Sequence, residues 1–128
     1  MKKFLITLVV ALSLVAPIGV AATSAHATAP AQAASSAQSQ AIGLAKDYLK
    51  YSAFSKLGLA DQLMYEGFSR KVSMYAVNHL KVSWRNQAYK SAVAYLKYSH
   101  FSLAGLISQL EYEQFTHGQA VYGAKRAY

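Results

Sequence analysis

The sequence predicts an all-α fold: two tandem three-helix repeats, each containing a helix-turn-helix, preceded by a signal peptide. Three observations carry this. Displacing the chain by 47 positions lays Gln40–Lys81 on Gln87–Tyr128 without a gap, so that YLKYSAFS from Tyr48 meets YLKYSHFS from Tyr95. Within each copy the apolar residues return at helical spacing instead of alternating, and the period falls in the range of helical repeat units. Ahead of both copies, Lys2-Lys3, the uncharged apolar run Phe4 to Ala16, and Ala25-His26-Ala27 follow the basic, apolar and small-residue order of a secretory signal.

Residues 1–27 are therefore expected to form a cleaved signal peptide, with Ala25 and Ala27 as its small cleavage-site residues. The alternative is an uncleaved apolar anchor, since extending the run to Ala22 brings it near the length of a membrane span. Residues 28–38 are small and polar with one proline, which reads as a flexible leader. The first repeat spans 39–81. It opens with Ala41, Ala45, Tyr48 and Leu49 on one helical face. Ser55 suits an N-cap for a second helix striped by Leu59 and Leu63, and Gly67 suits the residue that ends it. Ser69 caps a third helix that carries Tyr75.

The second repeat spans 82–128 and repeats this order with Ala88, Ala92, Tyr95 and Leu96, then Ser102, Leu106 and Leu110, then Thr116 and Tyr122. Gln114 replaces Gly67, which predicts a somewhat different turn. Gly58 and Gly105 lie inside the second helices, where glycine costs about 1 kcal/mol relative to alanine, so close approach of a neighbouring backbone is expected there. Trp84 has no counterpart in the first copy and is expected to plug the junction between the two. Tyr48/Tyr95, Tyr51/Tyr98 and Tyr65/Tyr112 are expected in core or inter-repeat packing.

Composition narrows the function classes. Thirteen Lys and Arg against five Asp and Glu give a formal charge of +8, and the chain stays basic once Lys2 and Lys3 are gone. Anionic partners follow. With no cysteine there is no thiolate metal site, cysteine nucleophile or lipid-modified cysteine among these residues. His26, His79, His100 and His117 form no metal-binding spacing. Glu66 and Glu113 recur at matching positions, but at the end of a helix a carboxylate opposes the dipole, which suggests a specific donor for each. No serine has triad partners, so no enzyme, cofactor or metal is expected.

The twice-written order of YL, FS, GL, QL, a glutamate, a phenylalanine followed by Ser or Thr, and a final tyrosine is specific. With Trp84-Arg85-Asn86-Gln87-Ala88 between the copies, it resembles the Ltp-like family of host cell surface-exposed lipoproteins, over roughly residues 39–128. The resemblance implies tandem helix-turn-helix repeats and surface exposure. For phage-encoded members it also implies superinfection exclusion by contact with an injected phage protein. Lipid anchoring, which the family implies, lacks its cysteine here.

The expected function is thus an exported, monomeric envelope-binding protein that blocks phage DNA injection. Its partner would be a protein at the envelope, such as an injected phage protein, or an anionic wall polymer. A DNA-binding helix-turn-helix protein is the remaining alternative, and membrane contact is confined to an uncleaved N-terminus. Candidate partner-binding residues are Arg70, Lys71, Arg85, Lys125 and Arg126, on or beside the third helices.

Overall fold

A computed structural model describes residues 29–128, so the signal-peptide reading, with Ala25 and Ala27, lies outside the described residues. These fold into six helices and no strands: α1 (Ala29–Tyr51), α2 (Lys56–Tyr65), α3 (Arg70–Asn78), α4 (Trp84–Tyr98), α5 (Leu103–Tyr112) and α6 (His117–Ala127). None of them is long and apolar enough to cross a membrane.

One boundary differs from the sequence reading. Residues 29–38 are not a flexible leader but the first turns of α1, exposed over residues 30–36. They lack large apolar side chains, yet alanine and glutamine extend a helix readily once a packed segment nucleates it, and Pro30 sits in the first turn where its missing N–H costs little.

The other helices start where a hydroxyl side chain can accept from the first turn. Ser55, Ser69, Ser83, Ser102 and Thr116 accept from the backbone N–H of Gly58, Val72, Asn86, Gly105 and Gln119. Thr116 and Gln119 complete a capping box. Helices α2 and α5 end identically. Gly67 adopts φ 98°, the left-handed region that glycine enters freely, and Phe68 N–H reaches back to the Leu63 carbonyl. Gln114 takes φ 70° in the same turn, with Phe115 N–H on the Leu110 carbonyl, so the second copy preserves the geometry at a cost in backbone strain.

Each repeat encloses its own core. Leu59, Leu63, Val77 and Leu80 close on Ala41 and Ala45 in the first, and Leu106, Leu110 and Phe115 close on Ala88, Ala92, Ala120 and Ala124 in the second. The first helix of each copy thus offers alanines, which let its neighbours approach. The approach is tightest between α4 and α6, where a Cβ on Gly123 would stand 2.5 Å from the Ala88 carbonyl carbon. Gly58 and Gly105 do not play that part in the way their spacing suggested. Gly105 faces only its own cap Ser102 and Phe101, while Gly58 faces Ser55 with the Glu113 carbonyl oxygen 3.5 Å away.

The junction is small and specific. Trp84 and Val82 pack on the first core although Trp84 opens the second repeat's first helix. Buried Ser55 donates its hydroxyl to the Glu113 carbonyl, and Gln114 Nε2 donates to Asp61 Oδ2 at 2.6 Å.

Candidate binding surface

The duplicated glutamates are hydrogen-bond acceptors within the fold. Tyr48 donates its hydroxyl to Glu66 Oε1 at 2.5 Å, and Gln62 Nε2 donates to both that hydroxyl and that carboxylate. In the second copy Tyr95 donates to Glu113 Oε1, Ser91 donates to Glu113 Oε2 at 3.0 Å, and Gln109 Nε2 donates to the Tyr95 hydroxyl at 3.1 Å. Both carboxylates therefore meet the inter-helix donor that their position at a helix end required. Burial, followed by the hydrogen bond to Glu113, pushes the Tyr95 hydroxyl up to about 12, and burial followed by the bond to Glu66 raises Tyr48 above its ordinary value.

The remaining acids are also engaged. Asp47 meets Lys50 Nζ at 2.7 Å, Asp61 holds Gln114, and Glu111 Oε1 lies 2.6 Å from His117 Nδ1. Every carboxylate side chain of the chain thus has an internal partner. Among the described Lys and Arg side chains, by contrast, only Lys50 meets a carboxylate. The positive charge is left facing outward.

Two of the five candidate residues are brought together. The Arg85 guanidinium, from the first turn of α4, lies 4.3 Å from the Tyr122 ring centroid on α6. Arg126 lies 5.2 Å from the Tyr89 ring and 6.0 Å from the Tyr122 ring, and its Nη1 donates to the Tyr122 hydroxyl at 3.3 Å. Two exposed guanidinium groups and two tyrosine rings thus form one platform across α4 and α6. Cation–π stacking of this kind is worth about 0.5–1 kcal/mol at exposed sites and fixes where the cations stand. Beside it, Arg85 borders a shallow open depression with Thr116, Gly118 and Gln119.

The other three candidates stand apart from these stacks. Lys125 is exposed in the last turn of α6, where a cation suits the helix dipole. Arg70 and Lys71 are exposed in the first turn of α3, where cations oppose the dipole and gain nothing from the fold. Sequence reasoning missed Tyr89 and Tyr122 as the supports of the platform. Their i, i+4 relation to Arg85 and Arg126 was visible, but not that α4 and α6 would bring the two pairs together.

The tyrosine expectation needs correction. Tyr48 and Tyr95 are partly buried against Phe54 and Phe101, with ring centroids 5.7 and 5.6 Å apart. Tyr51 and Tyr98 are instead 81% and 79% exposed, and Tyr65 and Tyr112 are 64% and 72% exposed. They lie past the inward arc of their helices. His100 and His117 are exposed, and the described residues contain no grouping of side chains suited to a metal ion.

A family model described as host cell surface-exposed lipoprotein matches the chain twice, over residues 36–80 and 83–125. Neither the search of curated proteins nor that of solved structures found a match.

Proposed function

This chain belongs to the host cell surface-exposed lipoprotein family, and from that premise we propose that it is an exported envelope protein acting by stoichiometric contact, blocking DNA injection by an incoming phage. The observation that carries the reading is the imbalance at the surface: every carboxylate already has a partner within the chain, while Arg85 and Arg126 stand preorganised on Tyr122 with no acid paired to them. Arginine forks match carboxylates and phosphates two atoms at a time, and stacking on a ring removes part of the entropy that binding would otherwise cost. The partner is an acidic segment of a protein that crosses the envelope during injection. Glu66 and Glu113, which could have formed an acid–base pair, are each held by a tyrosine, in keeping with binding rather than catalysis.

A DNA reader of helix-turn-helix type would present base-contacting residues from the start of its second helix. Here the two copies offer Arg70-Lys71 and His117-Gly118, two unlike sets, and the surface location of the family keeps such a reader from regulatory DNA.

The test is expression in a phage-sensitive host. Adsorption should be unchanged while DNA entry falls, and the protection should weaken as ionic strength rises. The double variant Arg85→Glu/Arg126→Glu should lose protection and keep its helicity. Equal plating with and without the gene, across phages related to the host's prophages, would refute the reading.

A further inference from the structure

The two copies have drifted apart almost everywhere that both face solvent. Lys46 pairs with Val93, Asp47 with Ala94, Asp61 with Ser108, Arg70 with His117, Lys71 with Gly118 and Asn78 with Lys125. Among positions exposed in both copies, the identities that survive are Lys50/Lys97, Tyr51/Tyr98 and Tyr65/Tyr112. Residues of the core and the caps are held by packing and hydrogen bonding. The exposed tyrosines are not: Tyr51 and Tyr98 leave about four-fifths of their surface in water, where they add nothing to the core. A large side chain kept twice without an internal role points outward.

We propose that Lys50-Tyr51 and Lys97-Tyr98 are two equivalent sites for one linear anionic glycopolymer of the envelope, with sugar and phosphate in its repeating unit. Each pair closes the first helix of its repeat, and in the second copy Lys97 Nζ lies 5.5 Å from the Tyr98 ring centroid. One side of the flat ring covers the C–H face of a sugar, and the ammonium that in the second copy lies over the ring meets the phosphate. Duplication selects the kind of ligand. A unique protein surface has no use for the same exposed pair twice, whereas a polymer offers the same unit to both and gains from bivalence. Tyr65 and Tyr112 serve a phosphate less well because each precedes a glutamate, Glu66 or Glu113.

The two sites are unequal. Lys50 is tied to Asp47 at 2.7 Å, and Ala94 replaces that acid beside Lys97, so Lys97 is the ammonium less committed within the fold. The inference rests on the surface location of the protein but not on phage exclusion.

Binding of the whole mature chain to a purified sugar-substituted polyol-phosphate polymer, followed by calorimetry, tests it. Dextran supplies sugar without charge, polyphosphate supplies charge without sugar, and oligo(dT) supplies charge with bases. The sugar-phosphate polymer should bind tightest of the four at equal salt. Tyr51→Ala/Tyr98→Ala should weaken it at least tenfold. Either single variant should remove most of the advantage of a long chain over a short oligomer, a gain that reaches about 10²–10⁴ in bivalent systems. Tyr51→Phe/Tyr98→Phe should retain affinity, and Lys97→Gln should cost more than Lys50→Gln. Unchanged binding in the double alanine variant with helicity intact would overturn the proposal. So would equal binding of dextran or polyphosphate, or tighter binding of oligo(dT), which would mark a nucleic-acid surface. The lysine variants touch no core residue and decide the matter should the tyrosine variant lose helicity. Phage plating on the same variants reports separately on the exclusion reading, because Arg85 and Arg126 are untouched.

Discussion

Gly123→Ala sets two opposing effects against each other. In an isolated helix the change is favourable, because alanine replaces glycine at a gain of about 1 kcal/mol. In α6 the added methyl would stand 2.5 Å from the Ala88 carbonyl carbon, 2.7 Å from its oxygen and 2.7 Å from the Tyr89 nitrogen. The nearest of these falls 0.9 Å short of the 3.4 Å at which ordinary van der Waals contact begins. All three obstacles are backbone atoms of α4, so no side chain can rotate away and the two helices must separate. Overpacking of this kind costs about 1–3 kcal/mol, and more when backbone must move. With three backbone atoms in the way the steric cost lies toward the upper end of that range and wins, leaving a net destabilisation of up to about 2 kcal/mol. For a domain of this size each 1 kcal/mol lowers Tm by about 4–8 °C. Helix ellipticity followed through thermal and urea denaturation is the assay. Separation of α4 from α6 also displaces Tyr122 and Arg126 from Arg85 and Tyr89, so affinity for an acidic partner should fall with stability. The paired change Ala76→Gly, at the equivalent position on α3, removes a methyl without a clash and should cost about 1 kcal/mol. A Gly123→Ala protein that melts at or above the parent temperature would refute the close approach.

Other perturbations read other parts of the fold. Leu63→Ala or Leu110→Ala empties a fully buried site and should cost about 2–5 kcal/mol, seen as a lower midpoint in urea. Gln114→Gly relieves a left-handed residue, a strain of about 1–2 kcal/mol, but gives up the bond to Asp61. A small net rise in Tm is expected, and a fall would show that the inter-repeat bond outweighs the strain. Tyr95 is held protonated in the folded state, with its value raised from the ordinary 10 to about 12. The folded protein then binds more protons than the unfolded chain, so this stability is fully present below pH 10 and is lost as pH rises through 12. Tyr95→Phe should flatten the decline of Tm across that window, and an unaltered alkaline melting profile would count against the assignment.

The fold was legible in the sequence because its determinants are local and stated twice. Ser55, Ser69, Ser102 and Thr116 mark helix starts by a hydrogen bond reaching only three residues, and Ala41, Ala45, Leu59 and Leu63 mark inward faces by spacing alone. What escaped depends on distance in space. Gly123 is an ordinary-looking residue until α6 lies across Ala88, and Gly105 looked special for a reason that its own cap supplies. Tyr51 resembles Tyr48 in every local respect, yet three residues further along α1 its ring has left the arc that faces Phe54. Residues 29–38 lacked an apolar stripe and so lacked a signal, although backbone propensity carries the helix through them once the packed part of α1 has nucleated it.

Duplication has left this protein with two kinds of surface, and the difference follows from which positions each depends on. The arginine–tyrosine platform belongs to the second copy alone. Its equivalents in the first copy are Gln38 for Arg85, Ile42 for Tyr89 and His79 for Arg126, and there His79 stacks on Tyr75 at 3.8 Å without building a cationic pair. A single platform suits a partner that meets the protein in one orientation, such as a segment of an injected protein. The lysine–tyrosine pairs exist twice, which suits a ligand that repeats along its own length. Both can operate together because the helix caps and tyrosine–glutamate networks close within each copy and only Val82 and Trp84 reach across to the other core, leaving the exposed residues free to diverge or to stay without disturbing the helices. A chain tethered along a wall polymer by its repeated pairs would still present Arg85 and Arg126 to whatever crosses that wall.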